Sequence, residues 1–323
     1  LSGNRTKRKR RNRTTEPTMS LPIEQTIIEL GNIDQPLLNA RLTELSNLSS
    51  EELKCLENYW ATIETKRRRQ IVYRLVEMAE DNFVLNFDVI LKHCLQDTDD
   101  EVRRQSIEGL WENEEASLVN PLIKLLEQDP SEQVQSAAAT ALGKFAILAE
   151  HKKLSSYHVS GIETALLTVI GDTRKPVEIR RRALEAAAPL SLPQVKTAIR
   201  EAYQSDSSRL RISAIYAMGK NYDSGWLPIL LKELASADTE VRYEAAGACA
   251  ELEEEAAVPS ILRLVNDPDS DVQMAAIQAL GKIGGTVAAE CLEDCRNSSS
   301  AAVRQAAEDA LLELADKEDS LSF

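Results

Sequence analysis

Apolar and small residues recur along this chain at helical spacing, and the clearest example is the stretch Asp267–Gly281, DPDSDVQMAAIQALG. Val272 starts a series of alanine and leucine residues at offsets of four, seven and eight, which places them on one buried stripe of a helix. Asp269 suits the N-cap, and Asp271 adds a negative charge near the positive end of the helix dipole. The stretch therefore predicts a capped amphipathic helix.

The same pattern recurs at intervals of about 31 residues along most of the chain. A repeat of this length indicates a solenoid, in which each unit packs only on its neighbours and one core runs through the array. With the less regular segments at the start, the sequence predicts an all-α solenoid of about nine helix pairs. The residues at the position of Val272, which we call the anchors, are Val102, Val134, Ile179, Leu210, Val241, Val272 and Val303.

Each anchor belongs to the second helix of a pair, and we expect the N-cap three positions before it. The rhythm breaks once, between Val134 and Ile179, where the extra residues around Ala146–Ser160 predict a lengthened second helix that runs into a loop. The residues at the expected capping positions are Asp99, Ser131, Ser207, Asp238, Asp269 and Ser300, with Pro176 in the remaining unit.

Charge is distributed unevenly between the start of the chain and its body. Residues 1–18 carry seven basic residues against Glu16 alone, so the formal net charge of -14 leaves an acidic remainder. We expect a disordered basic tail over 1–18, a solenoid over 19–314 and a frayed tail over 315–323. Three interpretations of the basic tail stay open: a nuclear address, a nucleic-acid arm, or a segment upstream of a true start at Met19. A second basic run, Lys66–Arg69, is interpreted as a solvated turn at a helix end.

Composition narrows the function classes. An acidic body repels phosphate backbones, which makes nucleic acid an unsuitable partner outside residues 1–18. No run approaches the roughly 20 apolar residues of a membrane span. The five cysteines form no CxxC pair and suit reduced thiols in a cytoplasmic protein. No phosphate-binding loop, HExxH or GxSxG motif occurs, and we expect neither a cofactor nor a metal.

Around the anchors the chain resembles the HEAT-repeat superfamily, and more narrowly the short HEAT-like repeats of phycobilisome lyases. The residues that carry the resemblance are Asp97 with Glu101-Val102-Arg103, Asp238-Thr239-Glu240-Val241-Arg242, and Asp267-Pro268 with Val272, Ala276 and Leu280-Gly281. The resemblance implies a right-handed solenoid, and it implies that the arginine after each anchor pairs with an aspartate of a neighbouring unit. Arg103, Arg180, Arg211, Arg242 and Arg304 match that position, whereas Gln135 and Gln273 depart from it.

Some HEAT-like proteins are enzymes, and the resemblance lets two of these activities be set aside. The deoxyhypusine hydroxylase branch needs His-Glu pairs, but the three histidines here are followed by Cys94, Lys152 and Val159. The DNA-glycosylase branch needs a basic groove, which an acidic body does not provide. Bilin lyase activity has no short motif and stays open. We expect a non-catalytic protein. One alternative is a bilin lyase or a lyase-like chaperone subunit, and the other is a nucleic-acid-associated adaptor that uses the basic tail.

A binding surface follows from the register of the second helices. If these helices line the concave face, the residues two and six positions after each anchor point into the groove. Three consecutive units place apolar or aromatic side chains there, which suits an interface, although packing between repeats would also explain them. We therefore predict a monomeric scaffold whose groove binds a protein partner through an acidic or apolar segment. The predicted partner-binding residues are Arg181, Arg182, Ile212, Tyr216, Tyr243 and Met274.

Overall fold

The structure, a computed structural model, describes residues 22–321 of the 323-residue chain. The predicted basic tail over 1–18 lies outside the described residues. All regular elements in the described part are helices, which confirms the predicted all-α class. The described chain divides between Cys94 and Leu95 into two compact units.

The described part of the first unit, residues 22–94, contains five α-helices. Arg67 and Arg68, in the basic run at the start of the fourth helix, are only 3% and 6% exposed. The Arg67 guanidinium donates to the carbonyl oxygens of Leu30 (2.5 Å) and Gln35 (3.0 Å). The interpretation of this run as a solvated turn is therefore wrong for Arg67 and Arg68, although Lys66 and Arg69 are exposed. Arg67 satisfies one carbonyl near the end of α1, which the helix itself leaves without a partner, and one carbonyl of the following loop. The helices are α1 (Pro22–Gly31), α2 (Asn39–Leu42), α3 (Ser50–Trp60), α4 (Thr65–Asp81) and α5 (Asp88–Cys94).

The second unit is a helical solenoid with short 3₁₀ turns before several of the helices. Its α-helices are α6 (Asp100–Gly109), α7 (Val119–Gln128), α8 (Glu132–Glu150), α9 (Ser156–Gly171), α10 (Val177–Ala187), α11 (Pro193–Tyr203), α12 (Ser208–Lys220), α13 (Leu227–Glu233), α14 (Thr239–Leu252), α15 (Val258–Ile261), α16 (Ser270–Ile283), α17 (Thr286–Cys295) and α18 (Ala301–Leu321).

Two kinds of helix contact build the second unit. Within a pair, each first helix packs on the second helix that follows it, as α7 does on α8 and α17 on α18. Between pairs, the second helices pack side by side in the order α6, α8, α10, α12, α14, α16 and α18. All seven anchors are buried, and the most exposed of them, Val241, is 7% exposed. The predicted register is therefore confirmed, since the anchors form the core between the two rows of helices.

The helix starts also follow the sequence prediction. The residue three positions before the anchor is the N-cap of α6, α8, α10, α12, α14 and α16. Asp99, Asp238 and Asp269 accept hydrogen bonds from backbone N–H groups of the first turn, whereas the side chains of Ser131 and Ser207 do not cap their helices. Ser300 Oγ also accepts a long hydrogen bond, of 3.4 Å, from the Val303 N–H at the start of α18. Position in the repeat thus sets where a helix begins, and the aspartates supply most of the side-chain caps.

Two helix lengths bear on the predicted boundaries. Helix α8 runs for 19 residues and ends at Glu150 before a short loop, which confirms the lengthened helix expected in the irregular unit. Helix α18 continues to Leu321, whereas the sequence predicts a frayed tail from residue 315. Lys317 holds this last part of the helix, because its Nζ donates to the Glu253 carboxylate (2.6 Å) and to the Lys282 carbonyl (2.9 Å).

Candidate functional site

The row of second helices carries an open groove along its solvent side. One section, with a cavity volume of ≈ 770 Å³, is lined by α12, α14, α16 and α18. The adjoining section, of ≈ 760 Å³, is lined mainly by α8, α10 and α12. Tyr216 and Glu244 line both sections, so the two form one continuous groove within the second unit. We call it the second-helix groove.

Five of the six predicted partner-binding residues line this groove, and Met274 lines a recess beside it. Arg181, Arg182, Ile212 and Tyr216 line the section between α8 and α12. Tyr216 and Tyr243 line the next section. Tyr243 and Met274 line a third recess between α14 and α16.

Four of these side chains are aromatic or apolar, and all four are accessible to solvent. Tyr216 is 38% and Tyr243 45% exposed, and Ile212 and Met274 are half-buried. Consecutive repeats therefore bring aromatic and apolar side chains to one strip, because successive second helices lie side by side at the same register. Gly247 leaves open space beside the strip, because a Cβ atom added there would meet no heavy atom within 4 Å.

The two arginines of the groove are already paired within the chain. Arg181 contacts Glu178 at 2.5 Å and Glu185 at 3.1 Å. Arg182 contacts the same two carboxylates at 3.1 and 3.0 Å. Both arginines lie three or four positions from these glutamates on α10, so the ion pairs follow from helix geometry. The cluster of two arginines and two glutamates is electrically balanced, and it offers no excess positive charge to an acidic partner.

Glu244 is the groove residue that the sequence analysis missed. It lies on α14 next to Tyr243, and it has no hydrogen-bond or ion-pair partner within residues 22–321. Burial, together with the nearby carboxylates of Glu185 and Glu240, raises the pKa of Glu244 to about 7. The register contained a signal for it, because Glu244 stands three positions after the anchor Val241, directly beside a residue predicted to face the groove.

The arginine–aspartate pairs that the resemblance implies occur at two places in the described chain. Nε and Nη2 of Arg103 donate hydrogen bonds to the two carboxylate oxygens of Asp129, at 2.7 and 2.8 Å. Both residues are buried. Arg242 donates the same two hydrogen bonds to Asp267, at 2.8 and 2.9 Å. Each aspartate stands five positions before the next anchor. Serines occupy that position for Arg180 and Arg211, so the arginine alone does not predict the pair.

The chemistry of the remaining reactive side chains is limited. All five cysteines are free thiols. Burial raises the pKa of Cys249 to about 12 and that of Cys291 to about 11, so both thiols stay protonated and weakly nucleophilic at neutral pH. Within residues 22–321, no three His, Cys, Asp or Glu side chains come together as a metal site. None of the described helices has the length and apolar character needed to cross a bilayer.

Comparison with known families identifies the class of protein. The family of HEAT repeats matches residues 87–155 and 227–312. These segments contain five of the seven anchors, and the prediction of a HEAT-repeat protein is confirmed. A search of curated protein sequences gives no significant match.

Solved structures share the fold at low sequence identity. The complex of CpcE and CpcF of phycocyanin lyase from Nostoc sp. PCC7120 matches with a TM-score of 0.51 and 18% identity, over 95% of this chain and 100% of that chain. Yeast importin-β (Kap95p) matches with a TM-score of 0.54 and 14% identity, over 90% of this chain and 46% of importin-β. The resemblance to the HEAT-like repeats of phycobilisome lyases is thus confirmed as a shared solenoid fold.

Proposed function

We propose that this chain is a non-catalytic protein-binding scaffold and that the second-helix groove holds its partner. The observation that carries the proposal is the strip formed by Ile212, Tyr216, Tyr243 and Met274 on three consecutive second helices. Tyrosine and methionine are enriched at protein interfaces, because they offer large contact areas with few polar groups to desolvate. We further propose that the scaffold is a cytoplasmic monomer with reduced thiols.

The geometry of the strip suits a segment that lies along the groove and crosses several repeats. The tyrosine rings rise from neighbouring helices, and neither hydroxyl group is hydrogen-bonded to another residue within 22–321. Both rings therefore keep an apolar face and a polar tip available for a partner. Two proteins of similar fold are known with a protein partner: CpcE is in complex with CpcF, and Kap95p binds RanGDP.

The test compares capture of the natural partner by the wild-type chain and by the double variant Tyr216→Ala, Tyr243→Ala. Truncating two central aromatic anchors should weaken binding by well over tenfold, because each such anchor contributes about 2 kcal/mol or more. Tyr157→Ala is the matched control, since Tyr157 is 70% exposed on the first helix α9. Equal capture by the double variant, the control and the wild type would place the binding site elsewhere.

The two alternatives from the sequence remain predictions with separate tests. A bilin lyase or a lyase-like subunit would change the rate at which a bilin is attached to a phycobiliprotein. A nucleic-acid adaptor that uses residues 1–18 would lose a strongly salt-dependent affinity for DNA or RNA when those residues are deleted. The scaffold proposal expects neither effect.

A further inference from the structure

Glu244 lies within the strip formed by Ile212, Tyr216, Tyr243 and Met274, and it lines the same two groove sections as Tyr216. Tyr243 precedes it on α14, and Gly247 leaves open space one turn further along the helix. The carboxylate is half-buried and has no intramolecular partner in the described part of the chain. A half-buried carboxylate without a partner costs free energy that a complementary charge would recover.

The lysines and arginines of the groove are engaged with other groups of the described chain. Lys220 and Lys282 both contact Glu251, at 3.0 and 2.9 Å. The arginines on α10 are paired with Glu178 and Glu185 as described above. Lys144 donates to three backbone carbonyls between Leu110 and Asn113. No lysine or arginine of the described groove lining therefore forms an ion pair with Glu244.

Acidic residues dominate the sections that contain the tyrosines. Seven carboxylate side chains and only two lysines line the groove section from α12 to α18 together with the recess between α14 and α16. In the section between α8 and α12, by contrast, basic and acidic side chains are balanced. A partner segment that lies on the tyrosines thus meets a negative field, which favours a basic segment over an acidic one.

Resting on the scaffold function proposed above, we propose that the occupant of this groove section is a basic segment of a partner protein. One lysine or arginine side chain of that segment enters beside Glu244, next to Tyr216 and Tyr243. The carboxylate accepts a charge-assisted hydrogen bond from the cation, and the tyrosine faces attract it through their ring quadrupoles. The aliphatic stem of the same side chain packs on the apolar strip.

The test uses fluorescently labelled oligoarginine as the probe and oligoglutamate as the probe of opposite charge, with the full chain as receptor. Fluorescence polarisation gives the affinity at low and at physiological ionic strength. Glu244→Gln should weaken oligoarginine binding about tenfold, as the loss of a charge-assisted hydrogen bond predicts. Glu163→Gln on α9 removes the same charge away from the groove lining and should leave the affinity unchanged within about twofold.

Several outcomes would overturn the proposal. Wild-type protein that fails to bind oligoarginine would do so, as would stronger binding of oligoglutamate. Equal losses in Glu244→Gln and Glu163→Gln would show diffuse attraction instead of a defined subsite. A thermal melt of Glu244→Gln confirms that the variant is folded. If the double tyrosine variant loses the natural partner while Glu244→Gln keeps both that partner and oligoarginine, the scaffold groove stands and the basic-segment assignment fails.

Discussion

Gly219 on α12 and Ala248 on α14 approach so closely that a Cβ atom added to Gly219 would lie 2.6 Å from the Cα atom of Ala248. The same contact recurs between Gly281 and Ala310, where the added Cβ would lie 2.8 Å from the alanine Cβ. In both cases the glycine stands nine positions after one anchor, and the alanine seven positions after the next. The repeat therefore brings neighbouring second helices into near backbone contact, which leaves the side chains at the groove positions close together.

Gly219→Ala should destabilise the protein, because the added methyl group meets backbone that cannot move without shifting a whole helix. We expect a cost of about 1–3 kcal/mol, in the range of overpacked cores. Gly247→Ala is the matched control on α14, where the methyl group enters open space. That variant should gain about 0.5–1 kcal/mol from better helix propensity. Urea unfolding of both variants checks the pair, and a loss of stability in Gly247→Ala would contradict the assigned geometry.

Arg103→Ala should cost about 3–5 kcal/mol, because it leaves the buried carboxylate of Asp129 without its charge partner. Arg211→Ala removes the same side chain at the same register position, where Ser236 stands in place of the aspartate and the arginine is exposed. It should change stability by no more than about 0.5 kcal/mol. Thermal unfolding by circular dichroism compares the two. Similar melting temperatures for both variants would show that the pair contributes no stability.

Glu244→Gln should stabilise the protein above neutral pH. The folded-state pKa of Glu244, about 7, lies above the value near 4.3 of an exposed glutamate, so the folded state prefers the protonated carboxyl group. This preference has its full effect below the unfolded-state pKa, and the stability is lost as pH rises through 7. Glutamine imitates the protonated form, so the variant should melt higher than the wild type at pH 8. The difference should close towards pH 4.

One result for Glu244→Gln would contradict a raised pKa of Glu244. A melting-temperature difference that stays constant between acid and alkaline pH would mean that Glu244 titrates normally in the folded state. In that case burial would not penalise the Glu244 carboxylate, and the basic-segment proposal would rest on the charge of the groove lining alone.

The thiols of Cys249 and Cys291 should react slowly with iodoacetamide in the native protein at neutral pH. Burial raises the pKa of both groups, and the thiolate is the reactive form. In urea both should be alkylated at the rate of an ordinary exposed cysteine. Mass spectrometry after timed quenching gives the two rates. A native Cys291 that reacts faster than its unfolded form would reveal an activated nucleophile and would reopen the enzymatic alternatives.

The sequence predicted where the side chains of the groove lie better than it predicted how they interact. Tyr216 and Tyr243 could be placed because a fixed offset from a buried anchor sets the direction of a helical side chain. The pairing of Arg181 and Arg182 with Glu178 and Glu185 was overlooked, although these residues lie three and four positions apart on one helix. Our proposal of a basic partner segment rests on those pairs, because they leave no excess positive charge on α10.

The helix register, the capping positions, the buried anchors and the lengthened α8 were determined by the sequence alone. All four depend on local spacing or on a repeat of constant length, and both are readable along a single chain. Other features were decided by tertiary structure: the burial of Arg67 and Arg68, the arginine–aspartate pairs, and the isolation of Glu244. They depend on which groups face each other across separate helices, and the energy of a charge depends on what surrounds it in space.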